Sequence, residues 1–194
     1  MSLKEQVYSV LVVSASEKIN QALTEIFVPS VYSPLQYVSG VSAAKRAVAE
    51  RDFDFVLINS PLPDDSGLQF AIDTVTSYNT VVLFLARAEE YSLVFEKLAP
   101  HGVFLMQKPV SKSTLLLASE WLVSARERIR RTEKKTLSIE EKMNEIRLVN
   151  RAKWLLISEL KMTEPDAHRY IEKQAMDRCI SKQSVAEEII KTYG

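Results

Sequence analysis

From Val7 to Pro109 the chain alternates short apolar runs with amphipathic segments. The apolar runs Val7–Val13, Leu35–Val38, Asp54–Asn59, Thr80–Leu85 and Val103–Met106 predict strands. Two of them contain stretches that are apolar throughout, VLVV and FVLI. A strand of that kind is buried on both faces, as in a parallel sheet covered by helices on each side. The segments between them predict helices: Glu17–Phe27 after Ser16, Ala43–Glu50 after Ser42, Gly67–Ser77 and Glu89–Leu98. Strand and helix alternating five times predict a doubly wound parallel sheet, whose functional residues belong at the carboxyl ends of the strands.

Beyond Pro109 the period changes. No proline or glycine occurs until Pro165, so one very long helix can start near Ser111. Ala118, Leu122, Ala125, Ile129, Thr132, Thr136, Ile139, Met143 and Ile146 are spaced alternately four and three apart. That is the heptad seam of a coiled coil. With nothing in its own chain to pack against, such a seam predicts a parallel homodimer. Ser138 and Glu141 form a capping box, which marks a break near Leu137 as the alternative. The plainer reading is a last domain helix, a short linker and a separate helix. The charges around the seam (Arg126, Arg128, Arg130, Arg131, Lys134 and Lys135) are read as its solvated outside, with nucleic-acid contact as the alternative.

Arg147–Ile190 predicts three short helices. The first carries Val149, Ala152, Leu156 and Leu160 on one stripe. The second starts at Thr163 as N-cap, with Pro165 in its first turn, and lines up Ala167, Ile171 and Ala175. The third is capped by Ser181 and lines up Val185, Ala186, Ile189 and Ile190.

Composition changes this picture little: in 194 residues, 46% are hydrophobic and 26% charged, as in an ordinary globular protein. No apolar run is long enough to span a membrane, and MSLKEQVYSV has no signal-peptide pattern, so a cytoplasmic location is expected. The single cysteine, Cys179, excludes an internal disulfide and a multi-cysteine metal site, and it is expected to be a small packing residue. Charge is more informative. Residues 1–110 hold 8 basic and 12 acidic side chains, and residues 111–194 hold 17 and 13. An acidic first part and a basic second part point to two tasks, the second involving a polyanion, although solvated helix faces would read the same way.

The strand ends carry the chemistry. Ser14-Ala15-Ser16 follows the first strand, Asn59 ends the third, Ala86 lies at the end of the fourth, and Lys108-Pro109 follows the fifth. With Pro63 and Gly67 behind the third strand, residues 5–125 resemble the receiver domain of two-component response regulators, a flavodoxin-like fold. The resemblance implies an acidic, magnesium-binding pair at Ser14 and Ala15, a phosphorylated aspartate at Asn59, a hydroxyl at Ala86 and a lysine at Lys108. Only the lysine is present. Phosphoryl transfer to a carboxylate needs that carboxylate and a metal to neutralise charge. A degenerate pocket is therefore expected, neither phosphorylated nor magnesium-dependent, with no cofactor and no metal. Asp64 and Asp65 are read as a solvated turn leading to Gly67, with a rerouted acidic site as the alternative. Lys108 is expected to bond Asn59 or nearby backbone, and the resemblance implies a cis bond before Pro109.

The last helices also carry a resemblance. Ala152-Lys153, Ala175-Met176 and Val185-Ala186, at their spacings, resemble an ANTAR domain over residues 137–193. That implies RNA binding, to paired hairpin loops in leader transcripts, by a transcription antiterminator. The side chains offered to RNA are Arg147, Arg151, Lys153, Arg169, Lys173, Gln174, Arg178 and Lys182, with His168 as a stacking residue, Tyr170 as an edge of the core or, as the alternative, a stacking residue, and Trp154 as packing or base-stacking. The expected organisation is a receiver at 1–122, a coiled-coil connector at 123–146 and an RNA-binding bundle at 147–194, α/β followed by all-α. The expected function is a dimeric antitermination regulator and not an enzyme, with a regulatory protein or small ligand at the receiver as a further partner. The alternatives are a phosphorylation-independent interaction scaffold and a DNA-binding response regulator, the latter because three short helices can also form a helix-turn-helix.

Overall fold

The computed structural model describes residues 6–194. The first five residues of the MSLKEQVYSV segment lie outside them. Five parallel strands form one sheet: β1 (Tyr8–Val13), β2 (Tyr32–Val38), β3 (Phe55–Asn59), β4 (Val81–Ala86) and β5 (Phe104–Gln107). Their order is β2-β1-β3-β4-β5, the doubly wound arrangement. Five helices follow the strands: α1 (Glu17–Ile26), α2 (Val41–Glu50), α3 (Leu68–Ser77), α4 (Tyr91–Leu98) and α5 (Lys112–Leu160).

The apolar runs divide by the two-residue period of a strand. Leu11, Val13, Val56, Ile58, Val82 and Phe84 point into one core, with Ala44 and Ala47 of α2, Phe70 and Ala71 of α3, and Val94 and Leu98 of α4. Val10, Val12, Phe55, Leu57, Leu83 and Leu85 point into the other, with Leu23 and Ile26 of α1 and Leu115, Ala118 and Leu122 of α5. Every residue of β3 and β4 is buried, as expected of inner strands covered on both faces.

Most boundaries fall within one residue of the sequence expectation, and the starts of β2, α2 and α4 differ by more. β2 begins at Tyr32 and runs through a cis Ser33–Pro34 bond; a strand at the sheet edge tolerates a residue that donates no ladder hydrogen bond. α2 begins at Val41 rather than Ala43, because the Asp64 carboxylate accepts from the N–H groups of both Val41 and Ser42, each at 2.9 Å. Those bonds hold the Asp64 carboxyl below its ordinary range. Asp64, exposed in the expected turn, therefore also acts as a tertiary cap, and Asp65 accepts from the Gly67 N–H at 2.7 Å. Finally, α4 begins at Tyr91 rather than Glu89.

α5 is one unbroken helix of 49 residues. The capping box at Ser138 and Glu141 does not interrupt it. Without glycine or proline nearby, the continuing backbone bonds outweigh one or two side-chain caps. The seam is corrected too. Leu115, Ala118 and Leu122 are buried against the sheet, and Ala125 and Ile129 pack against the same cluster. The first part of the heptad stripe thus has a partner in its own chain. Of the basic run, Arg126 Nε and Arg130 Nη2 each bond Asp54 Oδ1 at 2.8 Å and are not solvated.

The chain divides into two compact units, Met1–Arg130 and Arg131–Gly194. In the second, the end of α5 packs with α6 (Glu164–Asp177) and α7 (Lys182–Tyr193). Its core is Ala152, Leu156, Ala167, Ile171, Ala175, Val185, Ala186 and Ile189. Leu160, expected on that stripe, is exposed because α5 ends there. Both expected caps form: the Asp166 N–H donates to Thr163 Oγ1 at 3.3 Å and the Ser184 N–H to Ser181 Oγ at 3.0 Å. Cys179 is exposed rather than packed, in a left-handed conformation (φ 52°) that turns the chain after α6. No helix among the described residues is long and apolar enough to cross a membrane.

Candidate functional sites and family

At the carboxyl ends of the strands the structure brings together Ser14, Asn59 and Lys108. Asn59, buried at the end of β3, donates from Nδ2 to Ser14 Oγ at 3.1 Å. Lys108 Nζ donates to Asn59 Oδ1 at 3.0 Å and also to the Ser60 carbonyl. Ser14 Oγ in turn accepts from the Ser16 N–H at 3.2 Å. The chain of donors and acceptors is closed: ammonium to amide oxygen, amide nitrogen to hydroxyl, with backbone at each end. Lys108 makes both of the bonds expected as alternatives, and the Lys108–Pro109 bond is cis. Burial, and then the charge of Arg87, push the Lys108 ammonium below its ordinary range. Ala15 is exposed and Ala86 buried, and neither has a polar side chain to add. Among the described residues no group of three or more His, Cys, Asp or Glu is placed to hold a metal ion.

The second candidate site is the surface of α5, α6 and α7 in the C-terminal unit. Arg147, Arg151, Arg169 and Lys173 are exposed. None of these four forms an ion pair among the described residues. The other three cations expected at RNA are engaged. Lys153 Nζ lies 3.1 Å from Glu164, Lys182 Nζ lies 2.5 Å from Glu172, and Arg178 grips Glu188 with two bonds of 2.6 and 2.7 Å. Gln174 is half-buried beside Lys173. His168 Nε2 sits 3.3 Å from Glu172. Tyr170 is 39% exposed and Trp154 71%, so neither belongs to the core.

Two grooves flank these residues. One, of about 360 Å³, is lined by the apolar Ile146 and Val149 and by Lys142, Glu145, Asn150, Lys153, His168 and Lys182. The other runs along α6 past Arg169, Lys173 and Met176 to Ile180. Asn150 and Lys142 were not singled out from the sequence, because a polar residue on a helix carries no signal until its neighbours are known.

The ANTAR domain family matches residues 138–190. Over 141 residues the chain is 30% identical to the transcriptional regulatory protein PdtaR of Mycobacterium tuberculosis, spanning 73% of this chain and 69% of that protein. The chain belongs to the family of response regulators that join a receiver to an ANTAR domain. Solved structures support the receiver fold of this ANTAR regulator. The signal receiver domain of an HD domain-containing protein from Pseudomonas fluorescens Pf-5 aligns with a TM-score of 0.58, at 22% identity over 68% of this chain and 96% of its own. The receiver domain of the TMAO respiratory system response regulator TorR gives 0.54, at 14% identity over 60% and 96%. At these identities the likeness concerns the fold alone. The ANTAR regulator is thus a transcription regulator of the response-regulator type.

Proposed function

We propose that this chain is a homodimeric transcription antitermination regulator acting in the cytoplasm. Its C-terminal bundle at 147–194 binds hairpin loops in leader transcripts. A coiled-coil connector spans 123–146, and the receiver at 1–122 works without phosphorylation at the usual position. The observation that carries the RNA reading is that Arg147 and Arg151 on α5 and Arg169 and Lys173 on α6 of an ANTAR domain are exposed and not neutralised by ion pairs among the described residues. Guanidinium groups bond phosphate in a fixed fork and stack on unstacked bases, which suits a hairpin loop. Gln174, next to Lys173, offers both a donor and an acceptor to a base edge. Lys153, Arg178 and Lys182 take part by exchanging a glutamate for a phosphate, which weakens their net contribution.

A gel shift with two-hairpin leader RNA and with duplex DNA, repeated over a range of salt, tests this. Replacing both Arg169 and Lys173 by alanine is expected to lower RNA affinity and to flatten the slope of log K against log salt by about 0.7 for each lost phosphate contact. Preference for duplex DNA would favour the DNA-binding reading. Absence of nucleic-acid binding at every salt concentration would favour an interaction scaffold.

The receiver reading is supported by the closed Lys108–Asn59–Ser14 network, which has no carboxylate nucleophile and no acidic pair to bring a metal. After treatment with acetyl phosphate and magnesium, intact mass is expected to be unchanged. A stable, singly phosphorylated receiver would overturn it.

A further inference from the structure

Trp154, near the end of α5, is 71% exposed, although tryptophan is on average a deeply buried residue. Ala152 and Leu156, two residues to either side of it, enter the core of the C-terminal unit. At 3.6 residues per turn they stand about 160° round the helix from Trp154, which therefore faces away from the bundle. Among the described residues its indole N–H donates no hydrogen bond, and its ring joins no aromatic pair and carries no cation.

The neighbours of this ring along the helix are cationic and polar. Arg151 lies three residues earlier, Asn150 four and Arg147 seven, spacings that put all three on the face of Trp154. All three are exposed, and neither arginine forms an ion pair among the described residues. Helical side chains lean towards the N-terminus of their helix, which is the direction in which these three residues lie.

We propose that Trp154 is the stacking platform for an unpaired base of the RNA loop, with Arg151 and Arg147 holding the neighbouring phosphates. The inference rests on the RNA reading of the proposed function and names the side chain that tells a loop from a duplex. A base within a duplex has both faces covered by its neighbours, whereas a loop base has a free face that an indole can cover. Every base has such a face, so Trp154 selects unpaired RNA and not a sequence. Asn150, one turn away, offers a donor and an acceptor to the edge of the stacked base. The charge of the surface favours this occupant over a protein. An aromatic anchor of a protein interface is ringed by contacts that exclude water. Here the apolar seam of the connector has ended at Ile146, and Asn150 and Arg151 follow it.

The test uses the full chain. It has two tryptophans, and Trp121 is 55% exposed on the receiver part of α5. Trp121→Phe therefore leaves Trp154 as the only tryptophan whose fluorescence is read. The probes are two-hairpin leader RNA and the same stems closed as uninterrupted duplex. The hairpin RNA is expected to quench Trp154 emission to saturation, and the duplex is expected to leave it unchanged. Trp154→Ala is expected to lower affinity for the hairpin RNA by about 5- to 150-fold, the worth of one base stacked on an aromatic ring, and Trp154→Phe to keep most of it. Neither should change the slope of log K against log salt, because an indole neutralises no phosphate, whereas Arg151→Ala should flatten it. The quench is read with Trp154 in place, so a misfolded alanine variant does not decide the result. Full-affinity binding with emission unchanged, or equal quenching by the duplex, overturns the stacking role and leaves the RNA reading standing. Emission that shifts with protein concentration and ignores bound RNA places Trp154 between two copies of the chain and overturns the role as well. Failure of the hairpin RNA to bind at any salt concentration overturns the RNA reading and this role with it.

Discussion

Lys108 keeps its place beside β3 although its partner there is an amide and not a carboxylate. That arrangement was legible in the sequence, because the ends of parallel strands converge and few residues occupy them. Asp64 was not, since the N–H groups it caps belong to Val41 and Ser42, more than twenty residues earlier. Asp54 was missed for the same reason. Its burial alone would raise its carboxyl, but the Ser9 N–H and the guanidinium groups of Arg126 and Arg130 more than offset this, and it lies below the ordinary 3.8. A depressed carboxyl adds stability above its unfolded pKa and loses it as pH falls through the folded value. Asp54→Asn is expected to cost on the order of 3 kcal/mol at neutral pH and to make the loss of stability below about pH 4 shallower. Urea titrations at several pH values measure both. Gly67 has a φ of 82°, and a Cβ there would lie 2.9 Å from Ile58 Cγ2. Gly67→Ala is expected to destabilise the receiver by about 2 kcal/mol in the same titrations.

At the scale of elements, α5 serves three surfaces along its length. It closes the sheet core with Leu115, Ala118 and Leu122, contributes Ala152 and Leu156 to the second core, and between them exposes Ile139, Met143 and Ile146. Periodicity found the helix and the seam, but it could not tell which part of the seam the chain itself would cover, since a buried position and an exposed one have the same spacing. α6 is simpler. Thr163 caps it, and its hydroxyl also donates to Asp166 Oδ2 at 2.6 Å. Thr163→Ala is expected to cost the C-terminal unit about 1 kcal/mol, seen as a lower midpoint for that unit alone in thermal unfolding followed by circular dichroism.

For the whole molecule, two units with separate cores mean that damage to one need not reach the other. Ile171 is fully buried in the small core. Ile171→Ala removes that contact and is expected to cost about 2–5 kcal/mol. Calorimetry should show the C-terminal transition lowered or lost and the receiver transition in place, and a gel shift should show RNA binding lost with it. Survival of RNA binding after loss of that transition would place the binding residues outside the bundle.

Ser14, Ala15, Asn59 and Ala86 carry no carboxylate whatever the fold, because a side chain that is not a carboxylate cannot become one by folding, and this is the ground of the proposed phosphorylation-independent receiver. The apolar periods likewise determined a five-stranded doubly wound sheet, a long helix and three stripes that need a common core. Tertiary structure alone decided which charges remain available. Arg126 and Arg130 turn in to Asp54, Lys153 and Lys182 are held by glutamates, and Arg169 and Lys173 stay exposed. Charge pairing depends on distance in space, and Arg126 lies 72 residues from Asp54 along the chain.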